Sequence, residues 1–121
     1  MGEPESLPSF DLDHFAKAVG GDRRLMTHFA AIFVANATRY VTQMHGAIGS
    51  EKGRGGAWYG VAHKLKGSAS AVGAHRLAAL CATAEPLPPA GDARAQALSA
   101  IKDELDRLKH VMTDLMPQTR K

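Results

Sequence analysis

Little in this 121-residue chain commits it to a membrane, to nucleic acid or to redox chemistry. It has one cysteine, Cys81, so no internal disulfide forms and a reducing compartment suits it. It has no run of five basic residues. Its 15 Lys and Arg are interspersed among 12 Asp and Glu, and a net charge of +3 is mild. That balance argues against nucleic-acid binding. The apolar runs fall well short of the about 20 residues that span a bilayer. The opening MGEPESLPSF is acidic and has no apolar core, so it does not read as a signal peptide. A cytoplasmic domain with no membrane contact is the expectation. Strand-like alternation of useful length is missing, as are G-x-S-x-G, Walker and dinucleotide glycine patterns. Six histidines occur, yet the two nearest in sequence, His63 and His75, stand twelve residues apart. No i,i+3 or i,i+4 pair chelates from one helix face, so no metal site is expected. Cys81 falls on the inward face of its helix and reads as core, not nucleophile.

What is present is helical periodicity. Hydrophobic residues make up 45% of the chain and charged residues 22%, the balance of one ordinary globular domain. Residues 1–9 carry two prolines and read as a flexible lead-in. Asp11 is placed to cap a short helix over Leu12–Val19, which Gly20-Gly21 stops, and Asp22 to cap the next. From Arg23 to Ile48, Leu25, Phe29, Ile32, Phe33, Asn36, Tyr40 and Met44 recur at steps of three and four, the stripe of a long amphipathic helix. Glycines at 46, 49, 53, 55 and 56 mark a connection. A helix over Ala57–Val72 follows, ended by Gly73. The next begins at Ala74, with Leu77, Leu80, Cys81 and Ala84 inward, and prolines 86, 88 and 89 prevent its continuation. The last spans Asp92–Leu115, with Leu98, Ile101, Leu105, Leu108, Met112 and Leu115 as its seam. The fold class is all-α: an antiparallel four-helix bundle over residues 10–116, with a short additional N-terminal helix as a lid and a tail at 117–121. The last helix's seam is short and needed inside the bundle, so a monomer is expected.

The helix over Ala57–Val72 carries the most information. At about 100° per residue, Trp58, Val61, Ala62, Leu65, Ala69 and Val72 form its apolar stripe. His63 lies on the opposite side, with Gly56, Gly60 and Gly67 on the same outer face. Each glycine inside a helix costs about 0.8–1.0 kcal/mol relative to alanine, so together they read as a cost tolerated for bare access to the imidazole. Lys66 lies beside it at i+3, where its ammonium reaches a phosphoryl group on the ring, and Lys64 flanks at a less favourable angle. Free imidazoles titrate near pH ~6.5, so a large share is neutral in the cell with one ring nitrogen available as a nucleophile. Against this stands the plainer reading of a surface histidine on a glycine-weakened helix.

The residues Ala62-His63-x-Leu65-Lys66-Gly67-Ser68-Ala69, followed by Val72-Gly73-Ala74, Leu77, Cys81 and Glu85, closely resemble the signature of histidine-containing phosphotransfer (HPt) domains. Asp11-Leu12, Gly20-Gly21-Asp22, Phe29 and Phe33 extend the likeness across residues 10–115. The resemblance implies that His63 accepts a phosphoryl group from a receiver-domain aspartate, or from a kinase, and passes it to a response-regulator aspartate. It further implies that Lys66 stabilises the phosphorylated state and that Gly67 leaves clearance for the partner. Glu85 would hydrogen-bond the other ring nitrogen and set the tautomer. Two departures stand out: Ala84 replaces a usual leucine, and Pro86 biases Glu85 away from α conformation, which works against that contact.

The expected docking surface surrounds His63 with Tyr59, Gly60, Lys64, Gly67 and Ser70. The expected partners are a receiver domain and a sensor histidine kinase of hybrid type. The chain itself needs no cofactor, because Mg²⁺ and the acidic pocket belong to the receiver, and it is a carrier, not an autonomous enzyme. Two other readings remain open. One is a helical scaffold or inhibitor that binds receivers without exchanging phosphate. The other is the phosphoacceptor domain of a larger chemotaxis-type kinase.

Overall fold

A computed structural model describes residues 7–115, in five helices and no strands among the described residues. The helices are α1 (Leu12–Ala18), α2 (Arg23–Gly46), α3 (Ala57–Val72), α4 (His75–Ala84) and α5 (Ala93–Leu115). Their ends follow from local chemistry. Asp11 and Asp22 accept the backbone N–H groups of His14 and Leu25, each at 3.0 Å, which satisfies donors that a helix start leaves free. The His14 N–H and the His75 ring hold the Asp11 carboxyl below the usual carboxylate range. Gly73 ends α3 in the left-handed region at φ 81°. A Cβ there would also lie 2.8 Å from the Asp11 carbonyl oxygen. Glycine is thus required twice over, because the Asp11 N–H donates to the Gly73 carbonyl at 2.9 Å and ties α1 to the α3–α4 corner.

The four longer helices touch in a closed ring, α2 to α3 to α4 to α5 and back to α2, and α1 packs on α3. Inside the ring lie Trp58, Ala62, Leu65 and Ala69 of α3, Leu77, Cys81 and Ala84 of α4, and Leu98, Ile101, Leu105, Leu108 and Met112 of α5. All three sets match their predicted stripes, with Val61, Val72 and Leu80 at the margin. The Leu115 side chain and residues 116–121, including the predicted tail, lie outside the description, as do residues 1–6.

Helix α2 departs from expectation. Its buried residues are Met26, Phe33, Ala37 and Met44, while Leu25, Phe29 and Ile32 are each 41% exposed. At about 100° per residue the buried set lies some 90° around the helix from the exposed set. The apolar sector is wider than the seam that α3 and α5 cover. Phe29 and Ile32 of the uncovered edge, with Phe15 of α1, Val19 just after it, and Ala71 and Val72 of α3, line a shallow groove of about 260 Å³.

The lead-in departs as well. Residues 7–9, expected to fray, hold Arg76 of α4. Its backbone N–H donates to the Pro8 carbonyl at 3.2 Å, its Nε to the Leu7 carbonyl at 2.9 Å, and its Nη1 to Ser9 Oγ at 3.2 Å. Helix α4 begins without a side-chain cap, so the Pro8 carbonyl takes a donor its first turn leaves free. Arg76 also faces Glu104, a buried residue of α5 that pairs with Arg107.

Candidate functional site

His63 stands on the outer face of α3 with its side chain 60% exposed. Its Nδ1 lies 3.1 Å from Glu85 Oε2, and Lys66 Nζ lies 3.0 Å from the same oxygen. An ionised carboxylate only accepts hydrogen bonds, so the Nδ1 proton points at Glu85 and the lone pair of Nε2 is left free. The Tyr59 ring, one turn earlier, lies nearly parallel to the imidazole, with centroids 6.0 Å apart and planes 15° apart. One face of the ring is thereby lined, while the side chain as a whole stays mostly exposed.

Glu85 is where the sequence argument and the structure part. Pro86 was expected to turn it away from α conformation, yet Glu85 has φ −51° and ψ −48°. The bias is overridden by local hydrogen bonds. The Glu85 N–H donates to the Cys81 carbonyl at 3.0 Å, and Leu87 N–H donates to Ala84 at 3.2 Å, carrying the chain through one further turn. Glu85 is buried, so its carboxylate meets His63 and Lys66 from below. One turn back on α4, Cys81 is fully buried, and its thiol is pushed up to about 12, first by burial and then by the Glu85 charge. It is core, not nucleophile.

The remaining predicted residues divide. Lys64, Gly67 and Ser70 are exposed on the His63 side of α3, and Gly60 is half-buried. A Cβ added at Gly60 or Gly67 meets nothing within 4 Å. Gly56 has a different purpose. It is buried, and a Cβ there would overlap the Glu51 carbonyl, so it belongs to the packing of the loop that enters α3. Lys66 is turned toward Glu85 and not toward Nε2.

The supports beneath the site lie outside the sequence reading. The Trp58 indole N–H donates to the carbonyl of Ala84, next to Glu85, at 2.7 Å. Arg94, 1% exposed at the start of α5, places its guanidinium 5.0 Å from the centre of a Trp58 ring. Its hydrogen bonds run to backbone carbonyls of the loops on either side. These include Leu87 at 3.0 Å, Ile48 at 2.7 Å and Ser50 at 2.8 Å. Burial lowers the Arg94 pKa from its ordinary value, which starts so far above neutrality that the charge stays. Ser50 Oγ accepts the Trp58 backbone N–H at 2.9 Å and serves as the cap that Gly56 lacks.

An exposed imidazole with a fixed tautomer, a buried carboxylate beneath it and cleared helix on its open side form the arrangement that HPt-type sequences encode. The model of the Hpt domain family matches residues 28–115. The chain belongs to the Hpt domain family. Hpt domains are phosphotransfer carriers, and membership places this one in two-component phosphorelay signalling. No curated protein and no solved structure matches it. The Hpt match begins within α2, so α1 lies outside it. Among the described residues no helix is long and apolar enough to cross a membrane.

Proposed function

We propose that this Hpt domain relays a phosphoryl group through His63, taking it from the aspartyl phosphate of a receiver domain and delivering it to the aspartate of a response regulator. The observation that carries the reading is the Glu85–His63 contact at Nδ1 on an imidazole whose side chain is 60% exposed. In the transfer, the Nε2 lone pair attacks phosphorus. An N–P bond forms, the acyl O–P bond breaks, and the aspartate leaves as a carboxylate. The ring, still carrying its Nδ1 proton, gains positive charge as the lone pair is committed. Glu85 stabilises that charge where it develops, as a carboxylate behind an imidazole does in hydrolytic triads. Lys66 is bound to Glu85 before transfer and moves to the incoming phosphoryl oxygens, which carry more negative charge.

Glu85 is already engaged, so the reading assigns Mg²⁺ and the acidic pocket to the receiver. The docking face runs over Tyr59, Gly60, Lys64, Gly67 and Ser70 and continues onto the exposed Leu25, Phe29 and Ile32 of α2. A hybrid sensor histidine kinase is the donor in this reading. The protein acts as a monomer, with the ring of four helices arranged as an antiparallel bundle, and it works in the cytoplasm.

The test is to mix the chain with a labelled, phosphorylated receiver and follow acid-labile label onto it. Glu85→Ala is expected to slow transfer about tenfold, the scale on which losing the hydrogen-bond partner behind a metal-ligating histidine lowers activity. Glu85→Gln, which keeps an acceptor oxygen, should recover part of the rate with receiver affinity unchanged. Equal rates for parent and Glu85→Ala would remove Glu85 from the mechanism. At Gly67, alanine is expected to raise stability by about 0.8 kcal/mol in thermal unfolding, because the helix gains and nothing is touched. Gly67→Leu should fold equally well yet slow transfer through weaker docking. Transfer at the parent rate would show that clearance there is not needed.

A further inference from the structure

Asp11 and His14, three residues apart at the start of α1, meet His75 from the start of α4 at the α1 end of the molecule. Asp11, His14 and His75 each offer a ligand atom, and these atoms all lie within 4.8 Å of one another. We propose that Asp11, His14 and His75 form a binding site for a zinc-class divalent transition-metal ion that pins α1 to the α3–α4 corner.

The donor set is two imidazoles and one carboxylate, a combination that suits zinc and its neighbours, with a fourth position left for water. With metal–ligand bonds of about 2.0–2.2 Å, tetrahedral ligands stand about 3.4 Å apart. His75 Nε2 and Asp11 Oδ2 are at that spacing already, 3.3 Å. The His14 ring meets His75 edge-on, with centroids 5.6 Å apart, and is exposed, so a small side-chain rotation closes the set.

The backbone beneath is fixed on both sides. Asp11 Oδ1 is held by the His14 N–H, which turns Oδ2 outward toward His75. The Asp11 N–H is bonded to Gly73, two residues before His75. A Cβ at Gly73 would crowd Asp11 and also the His14 Cβ, at 3.3 Å. This glycine lets the two ligand-bearing segments approach. An ion here has a structural use, because α1 has seven residues and is too short to persist without tertiary support.

The test is calorimetric titration of ZnCl₂ into the untagged full chain, with thermal unfolding beside it. One site per chain is expected to bind more tightly than the scattered surface histidines, and zinc should raise Tm through linkage. His14→Gln and His75→Gln, made separately, should each weaken that site at least about tenfold and abolish the zinc-dependent Tm rise. Asp11→Asn, which retains a capping oxygen for α1, should weaken it similarly. His28→Gln and His110→Gln should bind as the parent does. The proposal is overturned if the parent shows no site above background, if His14→Gln and His75→Gln bind like the parent, or if His28→Gln weakens binding as much as they do. His14 is exposed, so His14→Gln is expected to keep the parent's zinc-free Tm and isolates ligation from folding.

Discussion

Replacing His63 with glutamine should abolish phosphoryl acceptance while leaving the domain folded. The side chain is 60% exposed, and the fold gains little from it, so stability should stay within about 0.5 kcal/mol of the parent. Glutamine is close in size and offers a donor to Glu85, but it has no lone pair nucleophilic enough to attack an acyl phosphate. Removal of a covalent nucleophile commonly costs many orders of magnitude, so a fall of at least about 10³-fold is expected, below detection in a labelling assay. The measurement is transfer of label from a phosphorylated receiver to parent and variant, with acid treatment releasing the label from the parent. Receiver binding, measured separately, should be nearly unchanged. Equal, acid-labile labelling of both proteins would dispose of His63 as the acceptor. Unlabelled parent that still binds receiver tightly would instead favour a scaffold that exchanges no phosphate.

Much of this molecule is legible from short-range patterns, since the interactions that end helices are local. Asp11, Asp22 and Gly73 mark helix ends through hydrogen bonds and dihedral angles set within a few residues, and α3 spans the residues its periodicity predicts. What is not legible depends on what lies opposite. The apolar sector of α2 reads as one stripe, but which edge is covered depends on α1, which is too short to shield Leu25, Phe29 and Ile32. The preference of a residue before proline is real yet weak. At Glu85 it gives way to two hydrogen bonds and to the Trp58 indole bound next door at Ala84. Spacing within one helix likewise gives no sign that Asp11 and His14, at the start of α1, come together with His75, at the start of α4. The glycines around His63 share one face on a helical projection, yet Gly67 is open to solvent and Gly56 is locked against Glu51.

Arg94 was invisible to pattern, because its partners are backbone carbonyls, and these carry no sequence signature. Arg94→Met should be the most destabilising single change described here, at about 3–4 kcal/mol. The estimate rests on the carbonyls of Leu87, Ile48 and Ser50, which lose a charged donor at distances of 2.7–3.0 Å. A fully buried acceptor left unmet costs about 1–3 kcal/mol, and because these carbonyls are half-buried, entry of water holds each to the low end. Loss of the cation over the Trp58 ring adds to it. For a chain of 121 residues 1 kcal/mol corresponds to about 4 °C, so Tm should fall by roughly 12–16 °C. Arg94→Lys should recover less than about half, because an ammonium cannot reproduce the planar fork that reaches loops on both sides. The exposed Arg39→Ala, which loses one surface hydrogen bond to Asn36 and a contact over the Tyr40 ring, should stay within about 1 kcal/mol of the parent. Thermal and urea unfolding of the three variants decides the matter, and a loss under about 1 kcal/mol for Arg94→Met would refute the estimate. The consequence reaches the site. Arg94 holds the Trp58 ring, Trp58 holds the Ala84 carbonyl, and Ala84 precedes the carboxylate that orients His63. At temperatures where Arg94→Met is still folded, its phosphoryl transfer should therefore fall toward the rate of Glu85→Ala, with receiver affinity preserved.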